Sequence, residues 1–366
     1  MLDIKFIREY PEKVKEALAK RAVDFDVAHL VAVDEKRRAK TGEVDALRQT
    51  QNICSEKISS LEGAEREVMI EEAKASKKAL GNAEFELKAL DEEWESLMYQ
   101  LPNIPAEDVP VAKNESGNVV LREAGAKPHF SFAPRDYVEL GEKLDLIDTA
   151  RAAKVSGSRF GYLKHEAPLL EFAIVQFVFG RLTDAEWLSR VIKKAGIAVL
   201  PKAFIPLVPP VMIRPEAFRA MGKLDPGQEE DRYYLPKDDL YLIGSAEHTT
   251  GAMHMDEVFD GEKLPHRHIA FSTAFRREAG SYGKDTRGIL RVHQFDKLEM
   301  FSLAHPDESQ NEHDFFLAIQ EAMMQELRLA YRVMLIATGD MAWTDAKQYD
   351  IETWLPGQNN GKGEYR

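Results

Sequence analysis

From Glu65 to Leu101 the chain has no proline and a single glycine, Gly81. Its seam positions recur every three or four residues: Met69, Ala73, Ser76, Leu80, Ala83, Leu87, Leu90, Trp94, Leu97 and Leu101. That spacing is the stripe of a coiled coil, and it leaves few alternatives to one long helix. The preceding stretch, Asp26 to Leu61, is also free of proline and repeats more weakly through Leu30, Val33, Val44, Leu47, Cys54, Ile58 and Leu61, with Arg37, Lys40 and Gln51 interrupting the seam. Leu61-Glu62-Gly63-Ala64 separates the two and reads as a reversal. Two helices of about 36 residues would each reach roughly 54 Å and fold back on one another as a projecting hairpin. Leu101-Pro102-Asn103-Ile104-Pro105 ends the second helix, because proline cannot continue it.

A hairpin of this kind serves either as a dimerisation or spacer element or as an arm that touches an extended partner. The stretch 65–100 carries ten acidic and five basic residues, so any contact with nucleic acid would use placed groups such as Lys74, Lys77 and Lys78; most of the charge reads as a solvated face. The net charge of −13 argues against nonspecific nucleic-acid binding. One cysteine, Cys54, excludes an internal disulfide and a multi-cysteine zinc site. The N-terminus lacks the layout of a signal peptide, and no apolar run approaches the roughly 18 residues of a membrane span. A cytoplasmic protein is expected.

At 366 residues more than one domain is expected. The boundaries read as a helical arm domain over 1–106, a linker over 107–127 rich in Pro, Asn, Gly and charge, and a second domain over 128–366. In that second domain short apolar runs alternate with helical stretches, the pattern of an α+β fold with an antiparallel sheet flanked by helices. Helices are expected over Ala167–Leu182, continued in Trp187–Lys194, and over Asp307–Leu329. Strands are expected at Tyr241–Gly244, His268–Phe275, Ile289–Leu303, Tyr331–Ala337 and Tyr349–Leu355. The proline-rich run Phe204–Pro210 suits an edge strand, since proline donates nothing to a ladder. Neither glycine-rich phosphate loop of the parallel nucleotide folds is present.

Alternation along a strand puts His293, Phe295, Lys297, Glu299 and Phe301 on one face and Val292, Gln294, Asp296, Leu298 and Met300 on the other. Arg276 and Glu278 share a face, with Arg277 pointing away, and Ser245 and Glu247 share another. Arginine suits a phosphate, an aromatic face suits a base and a buried carboxylate suits an ammonium group. Together they describe a site for a nucleotide and an amino compound. Spacing alone slightly favours the other reading, a solvent-exposed hairpin with weak surface ion pairs. His266 and His268 form an H-x-H pair that is weak as a metal site without a third ligand. His293 reads as structural, and Lys284, Asp285 and Arg287 as a loop tip, either solvated or reaching phosphate or an RNA end.

The segment FRREAGSYGKDTRGILRVHQFDKLEMF, residues 275–301, resembles motif 2 of the seryl-tRNA synthetases, which are class II enzymes. LYLIGSAEHT, residues 240–249, is similar to their serine-binding Thr-x-Glu segment, and FIPLVPPVMIRPEAF, residues 204–218, to motif 1, the dimer-interface element. VSGSRFGYLKHEAPLLEFA and GDMAWTDAKQYDIETWLPGQN resemble further family segments, and the hairpin ending in LPNIP resembles the family's tRNA-binding arm. The resemblance covers nearly the entire chain. It implies serine–tRNA ligase chemistry: serine is activated with ATP to seryl-adenylate and passed to tRNA(Ser) by a cytoplasmic homodimer. It further implies that Arg276 is the catalytic residue, binding the α-phosphate. Glu278 would hold the adenine end, Phe295 would stack on the base, and Arg277 and the Val292 backbone would complete the ATP site. Ser245, Ala246, Glu247 and Glu299 would bind serine, and Glu299 would share in holding Mg2+.

Two departures carry expectations. The family usually has threonine where this chain has Ser245; the hydroxyl survives, so serine binding is expected to persist. After GKGEYR the family continues into a Glu-x-Ser-Ser segment and motif 3, so a truncated form is expected, without the arginine opposite Phe295 and several strands, and inactive or poorly folded as it stands. The alternatives are a relative charging a carrier protein, which would lack the long arm, and a non-catalytic RNA-binding or regulatory paralogue.

Overall fold

The computed structural model describes residues 2–224, 229–279 and 287–366. Lys284 and Asp285 lie outside the described residues. The chain divides into two compact units, residues 1–118 with 336–348 and residues 119–335 with 349–366.

The first unit opens with helices Ile4–Glu9 and Pro11–Lys20, then the long pair Val27–Ser60 and Gly63–Tyr99. Asp26 caps the first long helix by accepting the His29 N–H at 3.0 Å. Ile7, Val14, Leu18, Val27, Leu30, Met98 and Leu101 form a buried core at the base. Farther along, Val44, Leu80 and Ala83 make a thinner one. All ten expected seam residues of the second helix are buried or half-buried. Two of the polar interruptions of the first seam, Arg37 and Lys40, are matched across the hairpin. Arg37 donates from Nε to Asp91 at 2.5 Å and lies 4.6 Å over the Trp94 ring; Lys40 reaches Glu86 at 2.6 Å. Each such half-exposed pair adds little stability, about 0–1 kcal/mol, but together they specify register. Residues 336–348 belong to this unit because the buried Arg21 guanidinium donates to the carbonyls of Ala342 (2.7 Å), Asp345 (2.9 Å), Met341 (3.0 Å) and Asn103 (3.3 Å).

In the second unit the His266–Phe275 strand runs parallel to Ile205–Leu207 on one side and antiparallel to Gln294–Leu303 on the other. Ile205–Leu207 is therefore an edge, as its prolines require, although its pairing is parallel. Helices Glu166–Leu182, Ala185–Ala195 and Ser309–Glu326 cover one side of this sheet. Leu182, Leu188, Val191, Phe204, Ile269, Phe315 and Ile319 are its buried core, with Leu298 and Met300 packed against them. Burial of side chains this size is worth about 1.5–3 kcal/mol each, which fixes the face that Leu298 and Met300 take and leaves the opposite face free. Small strands Met212–Ile213, Leu240–Leu242 and Tyr234–Leu235 form a second sheet. A third, antiparallel throughout, contains Val119–Ala124, Tyr331–Leu335, Tyr349–Leu355 and Glu364–Tyr365.

Three local differences from the sequence reading have physical reasons. Val119–Ala124 is a strand inside the stretch read as a linker; it is an edge with mostly exposed side chains, so it carries no alternating pattern. The helix expected to continue past Leu182 breaks at Thr183 and restarts where Asp184 accepts the N–H groups of Glu186 and Trp187. Residues 289–293 precede the Gln294–Leu303 strand and lie outside it.

Candidate functional site

The free face of the Gln294–Leu303 strand presents Phe295, Lys297 and Glu299. Their cross-strand partners are Ala274, Ser272 and Ala270. The three small side chains opposite the three long ones are buried, and the charged ends of Lys297 and Glu299 meet on this face. The Lys297 ammonium lies 2.5 Å from Glu299 Oε2. The Ser245 hydroxyl donates to the same carboxylate oxygen at 2.7 Å and accepts from Lys297 Nζ at 3.0 Å. Ser245 and Ala246 are buried. Glu247, whose N–H donates to the Ser245 hydroxyl at 3.3 Å, is paired with Lys223 at 2.8 Å.

Ile243 and Gly244 are held beside the end of the neighbouring strand. The Phe275 N–H donates to the Ile243 carbonyl at 2.8 Å, and Arg276 Nε donates to the Gly244 carbonyl at 3.1 Å. Arg276 is further fixed by its own N–H to the His293 carbonyl at 3.0 Å, and its guanidinium lies 5.2 Å from the Phe295 ring. His293 returns a contact from Nδ1 to the Arg276 carbonyl at 3.0 Å, which is the structural role expected of it. Val292 is buried one residue earlier.

The strand ends at Phe275, so alternation stops there. Arg277 is exposed, 5.2 Å over the Tyr233 ring, with its N–H on the Asp231 carbonyl at 3.0 Å. Glu278 takes a left-handed backbone, φ 55°, and its carboxylate accepts from Arg291 at 2.8 Å. The chain turn, rather than the strand pleat, therefore sets the Glu278 direction.

Sequence reasoning gave no role to Lys223, Lys297, Arg232 or His248. All four bear on the same place. His248 accepts the Gly244 N–H at Nδ1, 3.3 Å, and its ring lies 4.6 Å from that of Phe218, tilted by 46°. Burial, followed by the charges of Arg232, Lys223, Lys297 and Arg276, pushes its pKa down to about 2, so it stays neutral. The signal for Lys297 was present, since it sits between Phe295 and Glu299 on the polar face. The small-residue alternation Ala270-x-Ser272-x-Ala274 marked the floor.

Two carboxylates and a buried hydroxyl suit a small compound bearing an ammonium and a hydroxyl. An arginine beside an aromatic ring suits an anion next to a flat heterocycle. Among the described residues no group of three or more His, Cys, Asp or Glu, around His266 and His268 or elsewhere, is placed to hold an ion. Burial lowers the His268 pKa, with the nearby His254 and His266 adding to it. Arg287 is exposed, and its carbonyl lies 3.3 Å from the Tyr137 hydroxyl.

Residues 1–105 match the seryl-tRNA synthetase N-terminal domain, and residues 231–363 match the class II tRNA synthetase core domain of the G, H, P, S and T enzymes. A serine–tRNA ligase of Thermobifida fusca is 39% identical over 367 residues, which is 100% of this chain and 82% of that protein. The chain belongs to the seryl-tRNA synthetase family. Its fold is that of the family: the seryl-tRNA synthetase of Pyrococcus horikoshii, solved with ATP, superposes with a TM-score of 0.79 at 36% identity, covering 100% of this chain and 83% of that one. The cytoplasmic serine–tRNA ligase of Naegleria fowleri, solved with AMP, gives 0.74 at 28% identity, covering 100% and 82%. No helix among the described residues is long and apolar enough to cross a membrane.

Proposed function

We infer that the protein is a serine–tRNA ligase and that this one strand face is its activation site. The observation that carries the assignment of residues is the Ser245–Glu299–Lys297 cluster lying one residue from Gly244, whose carbonyl holds Arg276. The ammonium of serine would take the place of the Lys297 ammonium against Glu299, with Glu247 as the second carboxylate, and the serine hydroxyl would meet Ser245. Ala246, fully buried, sets the turn between them. A site whose polar groups would be left unpaired by alanine or glycine rejects both.

ATP would lie with its α-phosphate at Arg276 and its base against Phe295, with Glu278 and the Val292 backbone toward the adenine and Arg277 at the outer edge. The serine carboxylate oxygen attacks the α-phosphorus; the bond to the bridging oxygen breaks and pyrophosphate leaves with its electrons. The protein's work is positioning and charge stabilisation. In a second step the ribose hydroxyl at the tRNA end attacks the seryl carbonyl and AMP departs. Magnesium would enter with the ATP phosphates. Glu299 is the residue that could share it, in competition with Lys297 at 2.5 Å.

The long helical pair would be the tRNA(Ser) arm, reading shape and backbone rather than bases. A homodimer fits the apolar side chains left exposed on Glu166–Leu182, among them Leu169 at 69% and Leu170 at 64%, and Val208 at 76% in the proline-rich segment. The cytoplasm is the compartment proposed. A non-catalytic paralogue is not favoured, since the relatives that match the whole chain are named as ligases. Amino-acid-dependent pyrophosphate exchange on the full-length protein tests the assignment: serine alone should support it, and exchange with another amino acid would refute it.

A further inference from the structure

Arg232 follows the short turn Glu229–Asp231 and is 12% exposed. Its guanidinium lies 5.6 Å from the Phe218 ring. Nε is buried and has no hydrogen-bond partner among the described residues, and Asp231 Oδ2 stands 3.7 Å from Nη1, beyond hydrogen-bonding length. Burial lowers its pKa, and the nearby Arg276 cation adds to the effect against Asp231 and Glu247. A buried cation so thinly paired is costly to the fold, and an arriving anion offsets that cost.

Arg232 Nη1 lies against Gly244, where a Cβ would come within 2.9 Å of it. The Gly244 carbonyl accepts from Arg276. Two guanidinium groups thus flank one glycine, and the next residue, Ser245, carries the hydroxyl bonded to Glu299 and Lys297. The ammonium receptor and this pair of arginines are adjacent, as the two ends of an α-amino acid require.

We propose that Arg232 is a substrate-binding residue of the activation step, holding the α-carboxylate of serine beside Arg276; the proposal rests on the serine-activation reading and specifies which residue takes the carboxylate. The carboxylate loses its charge as the mixed anhydride forms, so Arg232 binds the substrate more strongly than the product-like state. Its loss therefore falls on KM more than on kcat.

The test uses the full-length protein, Arg232→Met and Arg232→Lys. Exchange kinetics are measured with serine and ATP varied separately, and direct titrations compare serine with serinamide, which has no carboxylate. Arg232→Met should raise the serine KM about 10- to 100-fold, leave the ATP KM within about twofold, and leave serinamide affinity unchanged. Arg232→Lys should recover part of the loss, because an ammonium keeps the charge without the planar fork. An unchanged serine KM, a rise confined to ATP, or an equal loss for serinamide would overturn the proposal. If Arg232→Met does not fold, the serine-to-serinamide ratio in Arg232→Lys decides alone. Absence of serine-dependent exchange in the unsubstituted protein would count against the activation reading itself, while the titrations would still decide on Arg232.

Discussion

Lys297 and Glu299 leave the same strand face two residues apart, and their charged ends meet at 2.5 Å. The Ser245 hydroxyl joins both, donating to Glu299 and accepting from Lys297. Neither ion is deeply enclosed: their side chains are 32% and 21% exposed. Such a pair is weak in stability terms, so its worth lies in poise. A carboxylate already holding one ammonium is shaped for another.

Removing the Ser245 hydroxyl tests that arrangement. Ser245→Ala leaves the ion pair and takes away one hydrogen bond worth about 0.5–1.5 kcal/mol. The serine KM in pyrophosphate exchange should rise about 2- to 12-fold, whereas Ser245→Thr, which keeps the hydroxyl, should stay near the parent value.

Arg276→Ala should abolish adenylate formation with the fold intact. A charge-stabilising donor of this kind carries about 10²–10³ in rate. Exchange would fall by at least that factor while far-ultraviolet circular dichroism and the melting temperature stay unchanged. Near-normal exchange would remove Arg276 from the chemistry.

His248 makes stability depend on pH. Its folded pKa is about 2, against about 6.5 when unfolded. Between those values the unfolded chain binds more protons than the native one, so the contribution is full above about pH 6.5 and is lost as pH falls, by about 1.4 kcal/mol per unit. Urea melts at pH 7.5, 6.5 and 5.5 should show a small loss over the first interval and about 1 kcal/mol over the second, and His248→Gln, which offers an oxygen to the Gly244 N–H, should flatten this trend.

Arg267 and Glu312 form a buried bidentate ion pair, with Arg267 also donating to the Leu200 and Lys202 carbonyls at 2.8 Å. Their side chains are 0% and 7% exposed. Glu312→Ala leaves an uncompensated buried cation and should cost about 3–5 kcal/mol, read as a shifted urea midpoint. Pairing it with Arg267→Met should recover much of the loss.

The hairpin was legible because its signals are local: a three-four repeat without proline, ended by Pro102 and Pro105. The polar seam residues Arg37 and Lys40 read as interruptions only because their partners, Asp91 and Glu86, lie on the other helix. On the catalytic side, alternation placed Phe295, Lys297 and Glu299 correctly on one face, since Leu298 and Met300 had a core to enter. It could not place Glu278, because the strand stops at Phe275 and a left-handed residue turns the chain. Arg232 was invisible for a different reason. Its significance lies in its neighbours Phe218, Gly244 and Arg276, all distant in sequence.

Deleting residues 30–97 and bridging the ends with a short glycine-rich loop separates arm from site. Pyrophosphate exchange should persist and tRNA charging should vanish; charging that survives would make the arm a spacer.

Pyrophosphate exchange on the full-length protein, run with ATP and each standard amino acid in turn, tests the central claim most directly. Exchange with serine alone, lost in Arg276→Ala, is the expected result. Exchange with a different amino acid, or with none, would contradict the assignment of the Ser245–Lys297–Glu299 cluster as the serine receptor.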